Sequence, residues 1–414
     1  MATTFKTFLN NDVTTTKTLL HEAIPITGTI VSGTYDQGDD HPDANGTPRE
    51  FNIKNYSHGM FQSVYDYPFL SSSANHIFDI SVGYSANSNL SGNISDASAG
   101  LNYKQQKKKV AMYNQMAQVL MGHNKNGEIQ RFDRDGNLGD NNDDKMDEVI
   151  FLNFSRLLVK DEIKKGSFQI KFGTEPVFKS GRGLRGAAGG NTHHILTIAD
   201  TNAQNDFRIN SPAGEYGILS ASHTAPAGRQ GINHGHSGSL LSDKVGLIFY
   251  QAGVCVLTAS IFNGAATGSN DNRGLLNQAV SMSIDGGHGV GLIPDHGTVS
   301  ASIDQMLTGS KIEHVANNIR RRISDISFNN TTELNSTVYF CRANHNEFNY
   351  SANPTYLTES KIRVKDVPSD MPISYVTSIG LYSPDNELMA TAKLSEPLRK
   401  DPTNELTLRV RLDY

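Results

Sequence analysis

Apolar residues in this chain recur at more than one period, and each period predicts a different element. In "KKKVAMYNQMAQVLMG" the positions Val110, Tyr113, Met116, Ala117 and Leu120 are three and four apart, the spacing of one helix face, and Gly122 follows as a natural C-cap. Residues 148–165 carry Ile150, Leu152, Phe154, Leu157, Leu158 and Ile163 and read as a second helix. A third covers 302–325, with Ile312, Val315, Ala316, Ile319 and Ile323 on one face. Strands come from shorter β-branched runs. "VGLIFYQAGVCVLTAS" at 245–260 is the strongest hairpin signal, two such runs flanking Gln-Ala-Gly. Residues 26–31 read as a strand closed by Gly33, and 337–341 as another. Near the end, "ISYVTSIGLY", "ELMATAKL" and "ELTLRVRLDY" suggest a β-meander, with Pro384 where a type I turn favours proline. Its last strand carries an edge that is a liability unless something covers it.

Between these segments lie polar stretches rich in Gly, Ser, Asn and His, at 36–50, 85–100, 180–240 and 263–299. The expected fold is α+β and β-dominated, with several antiparallel β-elements, two or three helices and a C-terminal β-meander domain. The expected organisation is an α+β scaffold over 1–165, a β-rich part with Gly/His-rich insertions over 166–300, and a helix with an antiparallel β-domain over 301–414.

Composition narrows the function classes. The 414 residues are only 37% hydrophobic, which favours strands, turns and long polar loops over packed helices. A net charge of −5 supplies no basic face for nucleic acid. The one basic run, "KQQKKK" at 104–109, reads as a solvated first helical turn. It opposes the helix dipole there, which leaves open a contact with an acidic partner. Cys255 and Cys341 sit in apolar strand patterns and read as buried free thiols. No apolar signal-peptide core opens the sequence and no apolar run approaches a membrane span, so neither secretion nor membrane insertion is expected.

Several segments carry candidate chemistry. In "DRDGNLGDNNDD", Asp133, Asp135 and Asn137 match the opening of a calcium loop, but Leu138 stands where the loop needs glycine and Asp144 where it needs glutamate. Loose cation binding by Asp133, Asp135 and Asp140 is the remaining metal candidate there. "NHGHSG" places His234 and His236 two apart, on one side of an extended segment, where they could share a metal only if a third ligand joined them. "GHSGS" nearly matches a nucleophile elbow at Ser237, with His296 as a partner, but its flanks are loop rather than strand and helix. "GRGLRGAAGGNT" lacks the Gly-Lys-Ser/Thr that cradles phosphate. None of these amounts to a catalytic or cofactor site, and no cofactor is expected.

"YFCRANHNEFNYSANPTYL" at 339–357 crowds Arg342, Asn344, His345, Glu347, Phe348, Tyr350 and Tyr356 behind a strand. Nothing there supplies a base beside a nucleophile. Tyr, Asn and Arg suit a wet, adaptable contact surface, so Arg342, Asn344, His345, Phe348, Tyr350 and Tyr356 are read as interface residues.

Several segments resemble virion structural proteins of T4-like, contractile-tailed bacteriophages. They are "FLNNDVTTTKTLLHEAIPITGTIVSGTY", "NIKNYSHGMFQSVYDYPFLSSSANHIFDISVGY", "YNQMAQVLMG", "VGLIFYQAGVCVLTASIF", the 339–357 stretch and "YVTSIGLYSPDNELMATAKLSEPLRK". The resemblance implies a non-enzymatic baseplate wedge or tail component in the virion, assembled in the bacterial cytoplasm through contacts with other tail proteins and copies of itself. Neck, tail-tube and head-associated positions are alternatives. So is a particle-borne hydrolase of host envelope polymers, which would require turnover dependent on Ser237, His296 or Glu347.

Overall fold

The structure is a computed structural model that describes residues 5–26, 52–91, 101–138, 145–173, 195–224, 243–262, 282–284, 299–301, 303–350, 357–358, 361–362 and 371–414. Among the described residues it is β-dominated, as the patterning predicts, with 47% strand, antiparallel sheets and four helices. The helices are α1 (Leu101–Leu120), the single turn α2 (Arg156–Val159), α3 (Ile303–Gly309) and α4 (Ile312–Arg322). The strands of the first half are β1 (Val13–Pro25), β2 (Ile53–Asn55), β3 (Gln62–Tyr65), β4 (His76–Tyr84), β5 (Glu148–Phe154), β6 (Glu162–Ile163), β7 (Gln169–Gly173), β8 (Ile195–Ala199) and β9 (Phe207–Arg208). Then come β10 (Tyr216–Thr224), β11 (Asp243–Phe249), β12 (Val254–Thr258), β13 (Met282–Ile284), β14 (Val299–Ala301) and β15 (Ile323–Ala343). The last are β16 (Leu357–Thr358), β17 (Lys361–Ile362), β18 (Ser374–Tyr382), β19 (Leu388–Lys400) and β20 (Leu406–Asp413).

Contacts divide the chain into a large unit, residues 21–332, and a small unit that joins residues up to 20 with 333–414. The sequence suggested three consecutive segments instead. A linear reading has no means of seeing that an N-terminal stretch closes onto a C-terminal one.

In the large unit the sheet runs from the start of β15 through β7, β8, β10, β11, β12, β5, β4 and β3 to β2. The expected hairpin at 245–260 is present: β11 and β12 pair antiparallel from Gly246↔Leu257 to Phe249↔Val254. Its turn ends at Gly253, whose φ of +68° suits glycine. The expected helix over 148–165 is corrected. Residues 148–154 form β5, only Arg156–Val159 is helical, and β6 follows. The cause is burial on both faces. Val149 and Phe151 join one apolar cluster, while Ile150, Leu152 and Phe154 join the other. A strand covered on both sides is apolar without alternation, and periodicity alone does not separate it from a buried helix.

Helix α1 is the expected one, and Tyr113, Ala117 and Leu120 bury its apolar face. It lies so close to β4 that a Cβ on Gly83 would sit 2.8 Å from Lys109 O and 2.9 Å from Tyr113 N. The basic run is not simply solvated: Lys109 is fully buried, and its Nζ donates to the Leu307 and Ser310 carbonyls at the end of α3. The expected 302–325 helix breaks between α3 and α4 and gives way to β15 at Ile323. Ile312, Val315, Ala316 and Ile319 are buried, as their spacing requires. At the heart of this core, Phe154 packs its ring against Phe78, Phe168 and Phe328, with centroids 6.2, 5.7 and 5.3 Å away.

In the small unit, β18 and β19 form an antiparallel hairpin. Its turn is closed by Asn386 N–H donating to Ser383 O at 3.0 Å. The expected third strand of the meander goes elsewhere: β20 pairs with β15, from Ser336↔Asp413 to Ala343↔Leu406. Alternation identifies a strand but not its partner. One edge of the final strand is therefore filled, and Tyr414 exchanges backbone hydrogen bonds with Asn335 at 2.9 and 3.1 Å. Both cysteines are free, Cys255 buried in β12 and Cys341 half-buried in β15. Of the strand expected at 26–31 only Ile26 is described, and it is helical, the preceding β1 having ended at Pro25; residues 27–31 lie outside the described residues. Among the described residues no helix is long and apolar enough to cross a membrane.

Candidate assembly surface

The small unit is built almost without a core. Val338, Leu381 and Val410 are its only buried apolar side chains among the described residues, and neither apolar cluster includes any of its residues. Conversely, among the described residues the exposed large apolar side chains belong to it, with five exceptions: Tyr67, Leu70, Val119, Leu157 and Ile209. Within β1, residues 13–23 are all exposed. Successive residues of a strand point to opposite faces, so neither face of β1 is covered there. β18 and β19 leave Tyr375 56%, Leu388 52% and Met389 70% exposed, while Tyr382 packs its ring edge-on against Phe5 at 4.9 Å.

The polar aromatic stretch after β15 is a tight, tied-down turn. Arg342 Nε lies 2.7 Å from Asp12 Oδ1. Asn344 N–H donates to Glu347 Oε2, and Glu347 N–H donates back to Asn344 O, each at 3.0 Å. Glu347 also meets Lys6 Nζ at 2.5 Å, and these donors, Lys6 foremost, hold its carboxyl below the usual glutamate range. His345 Nδ1 lies 3.0 Å from Glu405 Oε1, with both side chains about two-thirds exposed. Beneath the turn sits the buried Lys400. Its Nζ donates to Asn349 Oδ1 at 2.7 Å, Asp401 O at 2.9 Å and His345 O at 3.3 Å. Asn349 Nδ2 adds a 2.8 Å bond to His345 O, and Ser374 Oγ donates to Phe348 O.

These bonds fix the backbone and leave the aromatic side chains free. Phe348, at φ +53°, is 42% exposed and Tyr350 57%. The geometry offers little for acid–base chemistry. Arg342 and Glu347 each sit in an ion pair, His345 is hydrogen-bonded to Glu405, and the Ser374 hydroxyl is spent on a carbonyl. Exposed aromatic side chains on an ordered polar frame are suited instead to protein contact, where Tyr and Arg serve as anchors. The structure thus brings Arg342, Asn344, His345, Phe348 and Tyr350 together, while Tyr356 lies outside the described residues. The sequence reading missed Lys400, whose position about fifty residues downstream carries no local signal.

The other candidates are dispersed or undescribed. His234, His236, Ser237, His296 and Asp140 lie outside the described residues. Asp133 and Asp135 are in contact, but Asp133 Oδ2 is taken by Lys145 Nζ at 2.5 Å. Among the described residues no group of three or more His, Cys, Asp or Glu side chains is arranged to hold a metal. No protein-family model, curated protein or solved structure matches this chain.

Proposed function

We propose that this chain is a non-enzymatic structural protein of a phage virion, a tail or baseplate wedge component that works by binding other tail proteins and copies of itself. One observation carries the reading: the small unit exposes strands and apolar side chains that a free subunit would gain by covering. Obligate interfaces have this character, a core divided between partners. Edge strands supply main-chain bonds for the same purpose. The likeness of the 339–357 stretch and its companions to contractile-tail proteins adds the phage context. In this reading Phe348 and Tyr350 are anchors, and the ion pairs around them hold the frame.

Quantitative mass spectrometry of purified particles and isolated tails tests this. A closed sixfold assembly predicts roughly six or twelve copies per tail. Hundreds of copies would move the chain to a lattice such as the sheath or head. Absence from particles would overturn the structural reading.

A further inference from the structure

Asp133 and Lys145 face one another across an isolated antiparallel bridge. Lys145 Nζ is 2.5 Å from Asp133 Oδ2, and the two side chains are only 4% and 1% exposed. The other lysine–carboxylate pairs described leave both partners at least 23% exposed. A second carboxyl, Asp135, hydrogen-bonds the Asp133 side chain, and Asp133 Oδ1 accepts Asp135 N–H at 3.2 Å. Asp135 is itself fixed by Asn137, through its N–H at 3.1 Å and its Nδ2 at 2.5 Å. Among the described residues the charged and titratable groups nearby include Lys244, Tyr216 and Arg208. An amine and a carboxyl electrophile are thus held together away from water, with a second, half-buried carboxyl beside them.

We propose that Lys145 and Asp133 become joined by an intramolecular isopeptide bond, formed by the chain itself with Asp135 as proton carrier. Nζ adds to Cγ of Asp133, the bond from Cγ to one carboxyl oxygen breaks, and that oxygen leaves as water. Starting from the ion pair, two of the three ammonium protons leave in that water and the third stays on the amide nitrogen. No oxidant, reductant or co-reactant is consumed. Asp135 accepts a proton from nitrogen and passes it to the departing oxygen, so it ends as it began. Three features favour the step. Contact replaces a bimolecular encounter. Exclusion of water protects the product from hydrolysis. The two carboxyls are driven apart: burial, with the Asp135 hydrogen bond second, raises the Asp133 carboxyl above its ordinary range, while the Asp133 hydrogen bond lowers Asp135, so Asp133 is the less stabilised carboxylate of the two. A buried ion pair becomes a neutral amide, which lifts its desolvation cost and staples residue 133 to residue 145. The inference is independent of the tail reading.

The test is the intact mass of the purified, denatured full-length chain. The expected result is a mass one water below that of the sequence, with fragmentation joining the peptides that carry Asp133 and Lys145. K145R and D133A should recover their full sequence masses, and D135N should lose water much more slowly. A wild-type chain at full mass after prolonged incubation overturns the bond and leaves a buried salt bridge. A water loss that fragmentation places in an imide at Asp135–Gly136 overturns it equally. A D135N chain that loses water at the wild-type rate overturns the role given to Asp135.

Discussion

The large and small units are both built mainly of antiparallel strands, yet they treat those strands in opposite ways. In residues 21–332 the central strands are covered on both faces, and β12 has no exposed residue. In the small unit β18 and β19 leave most residues in water, and among the described residues three buried apolar side chains stand in for a core. A β-pattern therefore does not by itself say whether a strand is finished. The large unit supplies its own partners, with helices and sheet enclosing two apolar clusters. The small unit is ordered through ion pairs, turns and backbone ladders, which fix shape without excluding water. If this contrast reflects function, substitutions should act on stability in one unit and on association in the other.

The largest effect belongs in the aromatic heart of the large unit. Phe154→Ala removes a ring packed on Phe78, Phe168 and Phe328 and should cost about 3–5 kcal/mol in denaturant unfolding. A loss below about 1 kcal/mol would mean that this unit is no more self-sufficient than its neighbour. Next comes Gly83→Ala, which sets a methyl group against the backbone of α1. Overpacking of this kind costs about 1–3 kcal/mol and should lower the melting temperature. An unchanged melt would show that α1 can move off β4.

How much of this was legible in the sequence differs by element, for physical reasons. Helix α1 was readable because one face is buried and the other wet, so Val110, Tyr113, Met116, Ala117 and Leu120 keep helical spacing. The β11–β12 hairpin was readable because two β-branched runs flank a turn that ends in glycine. Strand β5 was misread because burial on both faces erased its alternation. The partner of β20 was invisible, since pairing with β15 depends on residues about seventy positions away. In the candidate surface, the exposed Phe348 and Tyr350 were readable from type and company. Lys400 was not, because it serves the turn through backbone carbonyls that leave no trace in residue identity.

That buried lysine gives the third prediction. Lys400→Met leaves Asn349 Oδ1 and the carbonyls of His345 and Asp401 without their shared donor. Unsatisfied buried acceptors cost about 1–3 kcal/mol. The loss should appear as faster amide exchange at Glu347, whose N–H closes the turn onto Asn344 O, with protection in β5 and β12 unchanged. Equal loosening in β5 would show the two units to be one cooperative block.

The fourth prediction is a slope. Burial pushes Lys109 down to about 7. Above that pH the folded chain has released a proton that the unfolded chain keeps until the ordinary lysine range. Unfolding then takes up a proton, and the stability due to this group rises with pH, by at most about 1.4 kcal/mol per pH unit. Urea unfolding of wild type and Lys109→Met at pH 7, 8 and 9 should diverge, with the wild type gaining on the variant. Parallel curves would mean that the Leu307 and Ser310 carbonyls keep Lys109 charged throughout.

The smallest effect on the free chain is the most informative about assembly. Tyr375 and Met389 are more than half exposed on β18 and β19. Replacing both by serine removes little buried contact, so unfolding of the isolated chain should stay within about 0.5 kcal/mol of wild type, as surface changes do. On the proposed tail reading, the same pair of changes should abolish incorporation into particles, because apolar side chains left bare in the subunit contribute only when a partner covers them. Wild-type incorporation by a stable double variant would show this hairpin to be an ordinary wet surface and would shift the contact to Phe348 and Tyr350. A large loss of stability in the free chain would show instead that the small unit carries a core of its own, and the contrast between the two units would collapse.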